Sequence, residues 1–320
     1  MQLAKTILLW TAMSVAIPLG GAKGEGPSPM NGVESAGVRS SVILSNGRKL
    51  SYLHWANPSR PAILLLHGKG GFATSFIDFA QRYSDRFDIY AVDMRGRGFS
   101  DWAPDLDYTV ESTERDLFDF IQAVGLKRFG LYGHSFGAVM SLNIAAHHSD
   151  KVAFLIMEDA GPIALPDGSQ PVLNEGQAAP AGAPTPAPTP RVFRNWEEAT
   201  KACATYCTPS QYESLFVRRF DGTVAERNDI YGLWASKRGE GFTDQWPLVR
   251  EVRVPTLYLR AQYGLMPLQI AQEVVRMNGR FTLVSIAGAR HSMRWSAPEP
   301  TYAAITTFLD RPDVMGNLAQ

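Results

Sequence analysis

Eight short runs rich in β-branched and aromatic residues punctuate this chain: SSVIL, KLSYLHW, AILLL, FDIYAVD, FGLYG, VAFLIME, VPTLYLR and FTLVSIA. Helical patterns lie among them, at ATSFIDFAQRYSD, at ESTERDLFDFIQAVG and from Ser135 onward. Strands that alternate with helices are joined as βαβ units, because a parallel partner is reached only through a crossover. The first two runs are joined instead by Ser45-Asn46-Gly47, a hairpin turn, so the sheet should open antiparallel. The pattern predicts an α/β fold: a mostly parallel eight-stranded sheet with helices on both faces.

The alternation stops after Pro162 and resumes at VPTLYLR, so residues 163–246 form an insertion between core segments 38–162 and 247–320. Within it, residues 176–190, GQAAPAGAPTPAPTP, are a Pro/Ala low-complexity segment that favours extended backbone. Then NWEEATKACATYC and SQYESLFVRRF read as amphipathic helices, with Trp234 and Trp246 nearby. An insertion at the carboxyl end of a parallel strand stands where open α/β sheets bind ligands, so it reads as a helical cap over a site. Cys203 and Cys207 share a helical face at near the largest spacing a disulfide spans, leaving a local disulfide and two buried thiols as alternatives. With no His or further Cys beside them, a metal site is not expected.

The N-terminus carries a short cationic start, MQLAK, an apolar stretch, TILLWTAMSVAIPL, and the small residues Gly20-Gly21-Ala22. That is the plan of a signal peptide over residues 1–22, followed by a Gly/Ser/Pro linker over 23–37. The alternative is an uncleaved anchor, since the apolar run is little short of a span. The expectation is export to the periplasm or beyond, with no stable membrane association after cleavage. Lys plus Arg and Asp plus Glu balance at 31 each, which argues against a general grip on nucleic acid. There is no GxGxxG or Walker-type loop, so no nucleotide cofactor is expected, and the partner should be a small-molecule substrate.

Three motifs carry chemistry. Gly133-His134-Ser135-Phe136-Gly137, with a strand before it and a helix after, fits a nucleophile elbow, in which a strained turn lifts the serine clear of the sheet. LLLHGKGG ends a strand in a Gly-rich turn whose N–H groups, from Lys69 or Gly70, could pair with that of Phe136 to bind an oxyanion. IAGARHSMRW places His291 after the last strand, in the chain order serine then histidine. His67, His147 and His148 read as structural, His54 ends an early strand, and the side chain of His134, inside the elbow, should point away from the nucleophile, which leaves His291 the best general base.

Together with AVDMRGRGFSD, FLIMEDAGP and VPTLYLRAQ, these stretches resemble the α/β-hydrolase fold family, specifically its lid-bearing serine hydrolases. The resemblance implies a Ser–His–acid triad, but in LRAQYGLMP it aligns Gly264 with the position where the acid usually stands. Some branches put the acid after the preceding core strand, which here is VAFLIMED. Asp159 is the matching position and Glu158 the alternative; successive strand side chains point to opposite faces, so only one can face His291. A Ser–His dyad or an acid from the cap are further alternatives.

The implied activity is hydrolysis of a carboxylic ester or lactone through an acyl-enzyme, without metal or organic cofactor. Phe72, Tyr263 and Met266 lie on loops expected to rim the site and contact an apolar substrate moiety. The rival readings are an exported aminopeptidase or amidase of the proline iminopeptidase type and a non-catalytic ligand-binding member of the fold.

Overall fold

The structure, a computed structural model, describes residues 37–162, 164–169, 191–204, 207–230, 232 and 244–318. The expected signal peptide, all but the last residue of the linker, the Pro/Ala segment and Trp234 lie outside the described residues.

The eight core strands are β1 (Val38–Ile43), β2 (Lys49–Trp55), β3 (Ala62–Leu66), β4 (Asp88–Val92), β5 (Phe129–His134), β6 (Val152–Glu158), β10 (Thr256–Tyr263) and β11 (Phe281–Arg290). They form one sheet in the order β1-β2-β4-β3-β5-β6-β10-β11. Its β1–β2 pair is antiparallel, as the hairpin at Asn46-Gly47 requires; β2–β4 is antiparallel too, and the rest are parallel.

The period-two alternation of strands divides the core into two apolar layers. Leu64 and Leu66 of β3 pack on one side with α2 (Val110–Ala123), α3 (Phe136–His147), α6 (Trp246–Glu251) and α7 (Leu268–Met277). Ile63 and Leu65 pack on the other with α1 (Ile77–Tyr83), α9 (Pro298–Leu309) and α10 (Pro312–Gly316). Helix α3 is mostly apolar and buried along Phe136–Ala145, where Ser141 and Asn143 are the polar exceptions, which suits an element wedged between sheet and helices. Thr109 caps α2 by accepting the Ser112 N–H.

The insertion differs from the purely helical cap expected from sequence. NWEEATKAC does form α4 (Trp196–Cys203), N-capped by Asn195. The second expected helix, however, ends after α5 (Tyr212–Leu215), and Phe216–Arg218 continue as strand β8. It pairs with β9 (Val224–Glu226), which pairs with β7 (Val192–Phe193), giving a three-stranded antiparallel sheet. Asp221-Gly222 turns this hairpin, with Gly222 at φ 83°, and Phe216 is withdrawn into a small core with Phe193, Ala199, Cys203 and Val224. Cys203 and Cys207 are joined by a disulfide that staples the end of α4.

Candidate active site

Strand β5 ends at His134 and α3 starts at Phe136, so Ser135 alone makes the turn, at φ 55°, ψ −120°. A positive φ costs a non-glycine residue on the order of 1–3 kcal/mol and persists only where its surroundings impose it. Here a Cβ on Gly137 would lie 1.9 Å from the Leu66 carbonyl oxygen, and one on Gly133 would lie 2.1 Å from that of Gly137. Only glycine at both positions lets α3 start so close to the sheet. The Ser135 N–H donates to the Glu158 carbonyl at 2.9 Å, pinning the turn to β6. The Phe136 N–H stands in the first turn of α3, where donors have no intrahelical acceptor.

At the end of β6, Asp159 is wholly buried and also has a positive φ, 50°. Its carboxylate reaches across β10 into the turn that lacks an acid of its own. Oδ2 accepts the Leu265 N–H at 2.7 Å, and Oδ1 accepts those of Ala261 and Met266 at 3.2 and 3.4 Å. The fourth donor is the His291 ring, whose Nδ1 lies 2.8 Å from Oδ2. With Nδ1 donating, Nε2 is left as an acceptor, the tautomer a general base requires.

The loop bearing His291 is held against the elbow by the residue before the serine. His134 Nε2 donates to the His291 carbonyl at 3.1 Å, and the two rings lie 4.8 Å apart. Burial is the main reason the His134 pKa is lowered to about 4, with the His291 and Arg294 charges adding to it.

Glu158, the alternative acid, faces the other way. Its Oε2 accepts Tyr132 Oη at 2.6 Å and Arg294 Nε at 3.2 Å, and Oε1 accepts the Met293 N–H at 3.2 Å. Arg294 continues to Asp78 Oδ1 at 2.8 Å. Burial opposes ionisation of Glu158, but the His134 and Arg294 charges and the Tyr132 and Arg294 hydrogen bonds outweigh it and lower its pKa. Glu158 thus anchors the start of α8 (Met293–Ser296), two residues past His291.

The Gly-rich turn after β3 has its carbonyls gripped from outside. The Gly68 oxygen accepts His67 Nδ1 at 2.7 Å and the Gly71 N–H at 3.0 Å. The Lys69 oxygen accepts Arg97 Nε at 3.0 Å, and the Gly70 oxygen accepts Asn228 Nδ2 at 3.1 Å. His67 Nε2 accepts the Met94 N–H, fixing the ring's tautomer, and burial lowers its pKa to about 3. In a trans peptide the N–H points opposite to the carbonyl of the same plane, so holding the Gly68 and Lys69 oxygens aims the Lys69 and Gly70 N–H groups away from those partners. The turn adjoins the serine, since a Cβ on Gly68 would lie 3.2 Å from Ser135 Cβ.

A model of the alpha/beta hydrolase fold matches residues 61–231, more than half of the chain. The chain belongs to the α/β-hydrolase fold family. It is 27% identical over 283 residues to the N-formylmaleamate deformylase of Pseudomonas putida, covering 86% of this chain and 98% of that protein. It is 26% identical to the 2-(acetamidomethylene)succinate hydrolase of Mesorhizobium japonicum, over 79% of this chain and 89% of that protein. A crystal structure of E-2-(acetamidomethylene)succinate hydrolase superposes with a TM-score of 0.68 at 24% identity, covering 86% of this chain and 99% of that one, a likeness of fold. A second, of an alpha/beta hydrolase from Novosphingobium aromaticivorans, gives 0.64 at 25% identity over 86% of this chain and 98% of that one. The protein is therefore a hydrolase.

Of the residues expected to rim this hydrolase's site, only Tyr263 is exposed, at 43%. Phe72 and Met266 are buried, at 5% and 3%. Met266 turns inward because Arg260 Nε fixes its carbonyl at 2.9 Å and its side chain joins the core that includes Tyr258. Sequence reasoning passed over three side chains that shape the site: Arg97, Asn228 and Arg294. Each acts on a loop distant in sequence, and the one available signal was the doubled arginine in MRGRG.

Proposed function

We propose that this α/β hydrolase is a serine hydrolase that cleaves the N-acyl bond of a small carboxylate-bearing amide through an acyl-enzyme. The observation that carries this reading is the 2.8 Å bond between His291 Nδ1 and Asp159 Oδ2, in a loop bound to the elbow that strains Ser135. In this reading Ser135 Oγ attacks the acyl carbon while His291 Nε2 takes its proton. The tetrahedral oxyanion is met by the N–H groups of Phe136 and of Lys69 or Gly70. His291 then passes its proton to the leaving nitrogen, and water, deprotonated by the same ring, resolves the ester on Ser135. Asp159 holds the imidazole and stabilises it when charged.

The preference for nitrogen over oxygen as the leaving atom is supported by the relatives' names, both of which specify an N-acyl group on a carboxylate-bearing molecule. A panel of N-formyl and N-acetyl amides beside p-nitrophenyl esters and lactones tests it. Turnover confined to esters or lactones would return the function to the expectation from sequence. Export remains part of the proposal, supported by the apolar segment before residue 22 and by the disulfide, a bond typical of oxidising compartments.

A further inference from the structure

We propose that Asn228 is a positioning residue that keeps the turn Gly68–Gly71 in oxyanion-binding shape, an inference that rests on the reading of Ser135 as nucleophile. Asn228 lies just past β9, in the segment that returns from the small sheet towards the core. Its Nδ2 donates to the Gly70 carbonyl at 3.1 Å, and its Oδ1 accepts the Gly98 N–H at 3.1 Å. One side chain thereby ties together two loops from the carboxyl ends of β3 and β4.

The bond to Gly70 acts through peptide planes. Fixing the Gly70 oxygen fixes the Gly70–Gly71 plane, whose N–H donates to the Gly68 oxygen at 3.0 Å. The Gly68 oxygen sets the Gly68–Lys69 plane, and with it the direction of the Lys69 N–H. Two consecutive glycines offer little resistance of their own to rotation, so the hold must come from outside the turn. The neighbouring peptide is held by the same assembly, because Arg97, next to Gly98, donates Nε to the Lys69 oxygen at 3.0 Å. Asn228 is itself anchored: the Asp229 N–H donates to the Gly96 carbonyl at 2.8 Å, and Asp229 Oδ2 accepts Tyr108 Oη at 2.5 Å. The segment that follows the small sheet thus sets the shape of the oxyanion turn without touching substrate.

The experiment measures phosphonylation of the full chain by a fluorophosphonate. Ser135 Oγ bonds to phosphorus, fluoride leaves, the serine proton passes to His291, and the phosphoryl oxygen takes the oxyanion position. Saturation kinetics separate the limiting rate from the initial binding constant. Asn228→Ala should slow the limiting rate about tenfold with binding nearly unchanged, a smaller loss than removing an oxyanion donor outright. Asn228→Asp keeps the acceptor for Gly98 but sets a carboxylate against the Gly70 oxygen, so it should lose at least as much. A melting temperature within a few degrees of wild type in both variants separates positioning from unfolding. Wild-type rate in Asn228→Asp, or an effect confined to binding, would overturn the role of Asn228 while leaving Ser135 as nucleophile. Absence of any adduct on Ser135 in the wild-type protein would instead overturn the serine hydrolase reading, and this inference with it.

Discussion

The carboxylate of Asp159 fills the space that a side chain on Gly264 would need. A Cβ at Gly264 would lie 2.1 Å from Asp159 Oδ2 and 2.5 Å from its Cγ. An acid on β6 and a glycine on the turn after β10 are therefore one arrangement, in which the place left empty on one strand admits the group supplied by its neighbour. Gly264→Ala should push the carboxylate off His291 and lower kcat about a hundredfold, as displacements of roughly 1 Å can. The converse is sharper. Asp159→Gly combined with Gly264→Asp should regain activity over Asp159→Gly alone, and steady-state kinetics on the best amide of the panel would show it. No gain from the second substitution would mean that the turn cannot present an acid to His291.

The two neighbouring acids should separate in their effects. Asp159→Asn should reduce kcat by about 10⁴, the loss typical of a triad acid, and should also destabilise by about 2 kcal/mol, because either oxygen it replaces with an amide nitrogen accepts from two donors at a buried site. Glu158→Gln weakens one of the two carboxylate partners of the buried Arg294, with Asp78 still in place, and should cost about 2 kcal/mol in urea unfolding, the worth of a hydrogen bond to a charged group. Its kcat should fall far less than that of Asp159→Asn. The reverse ordering of kcat would transfer the acid's role to Glu158.

Acid should destabilise the fold through two neutral histidines. Burial lowers His67 to about 3 and His134 to about 4, against 6.5 in the unfolded chain. Above pH 6.5 neither state binds these protons. As the pH falls below 6.5 the unfolded chain takes them up and the folded one does not, so stability is lost until each folded pKa is reached. At pH 5 the loss is up to about 2 kcal/mol per histidine. Urea titrations at pH 7.5 and 5 measure it, and His67→Gln should reduce the difference. Equal stability at the two pH values would contradict the buried neutral state.

Reduction of the disulfide should act locally. Cys207 stands four positions after Cys203, and closing so short a loop stabilises by only about 2 kcal/mol in the chain-entropy account. A Cys203→Ser, Cys207→Ser protein should lose hydrogen-exchange protection in α4 while the core sheet keeps its own. Its labelling at Ser135 should proceed at the wild-type rate. Exchange rising throughout the core sheet would show that α4 supports the whole fold.

What could be read in the sequence was what neighbouring residues decide. AILLL and VAFLIME became β3 and β6 residue for residue, because an unbroken apolar run between turns suits a strand buried on both faces. The elbow was legible because Gly133 and Gly137 act on the serine between them. The second helix was read too far, because the pattern of FVR fits either period, and pairing with β9 decided for strand from Phe216 on. The partners of Asp159 were hardest. His291 is 132 residues away, so the resemblance to the fold family could point to Asp159, with Glu158, a Ser–His dyad or a cap acid as alternatives, but only the geometry at the strand end could decide among them. Asn228, Arg97 and Arg294 reach across loops that the fold alone brings together.

Asp159 asks the turn after β10 only for main-chain donors and one vacant position, at Gly264. The side chains of Gln262, Tyr263 and Leu265 carry none of that duty. A family that keeps its acid on this turn must guard the turn's sequence. Here Tyr263 and Leu265, both exposed at the rim of the sheet, can be exchanged without disturbing the acid, whereas Gln262 is held by the Gly288 N–H on the strand that leads to His291.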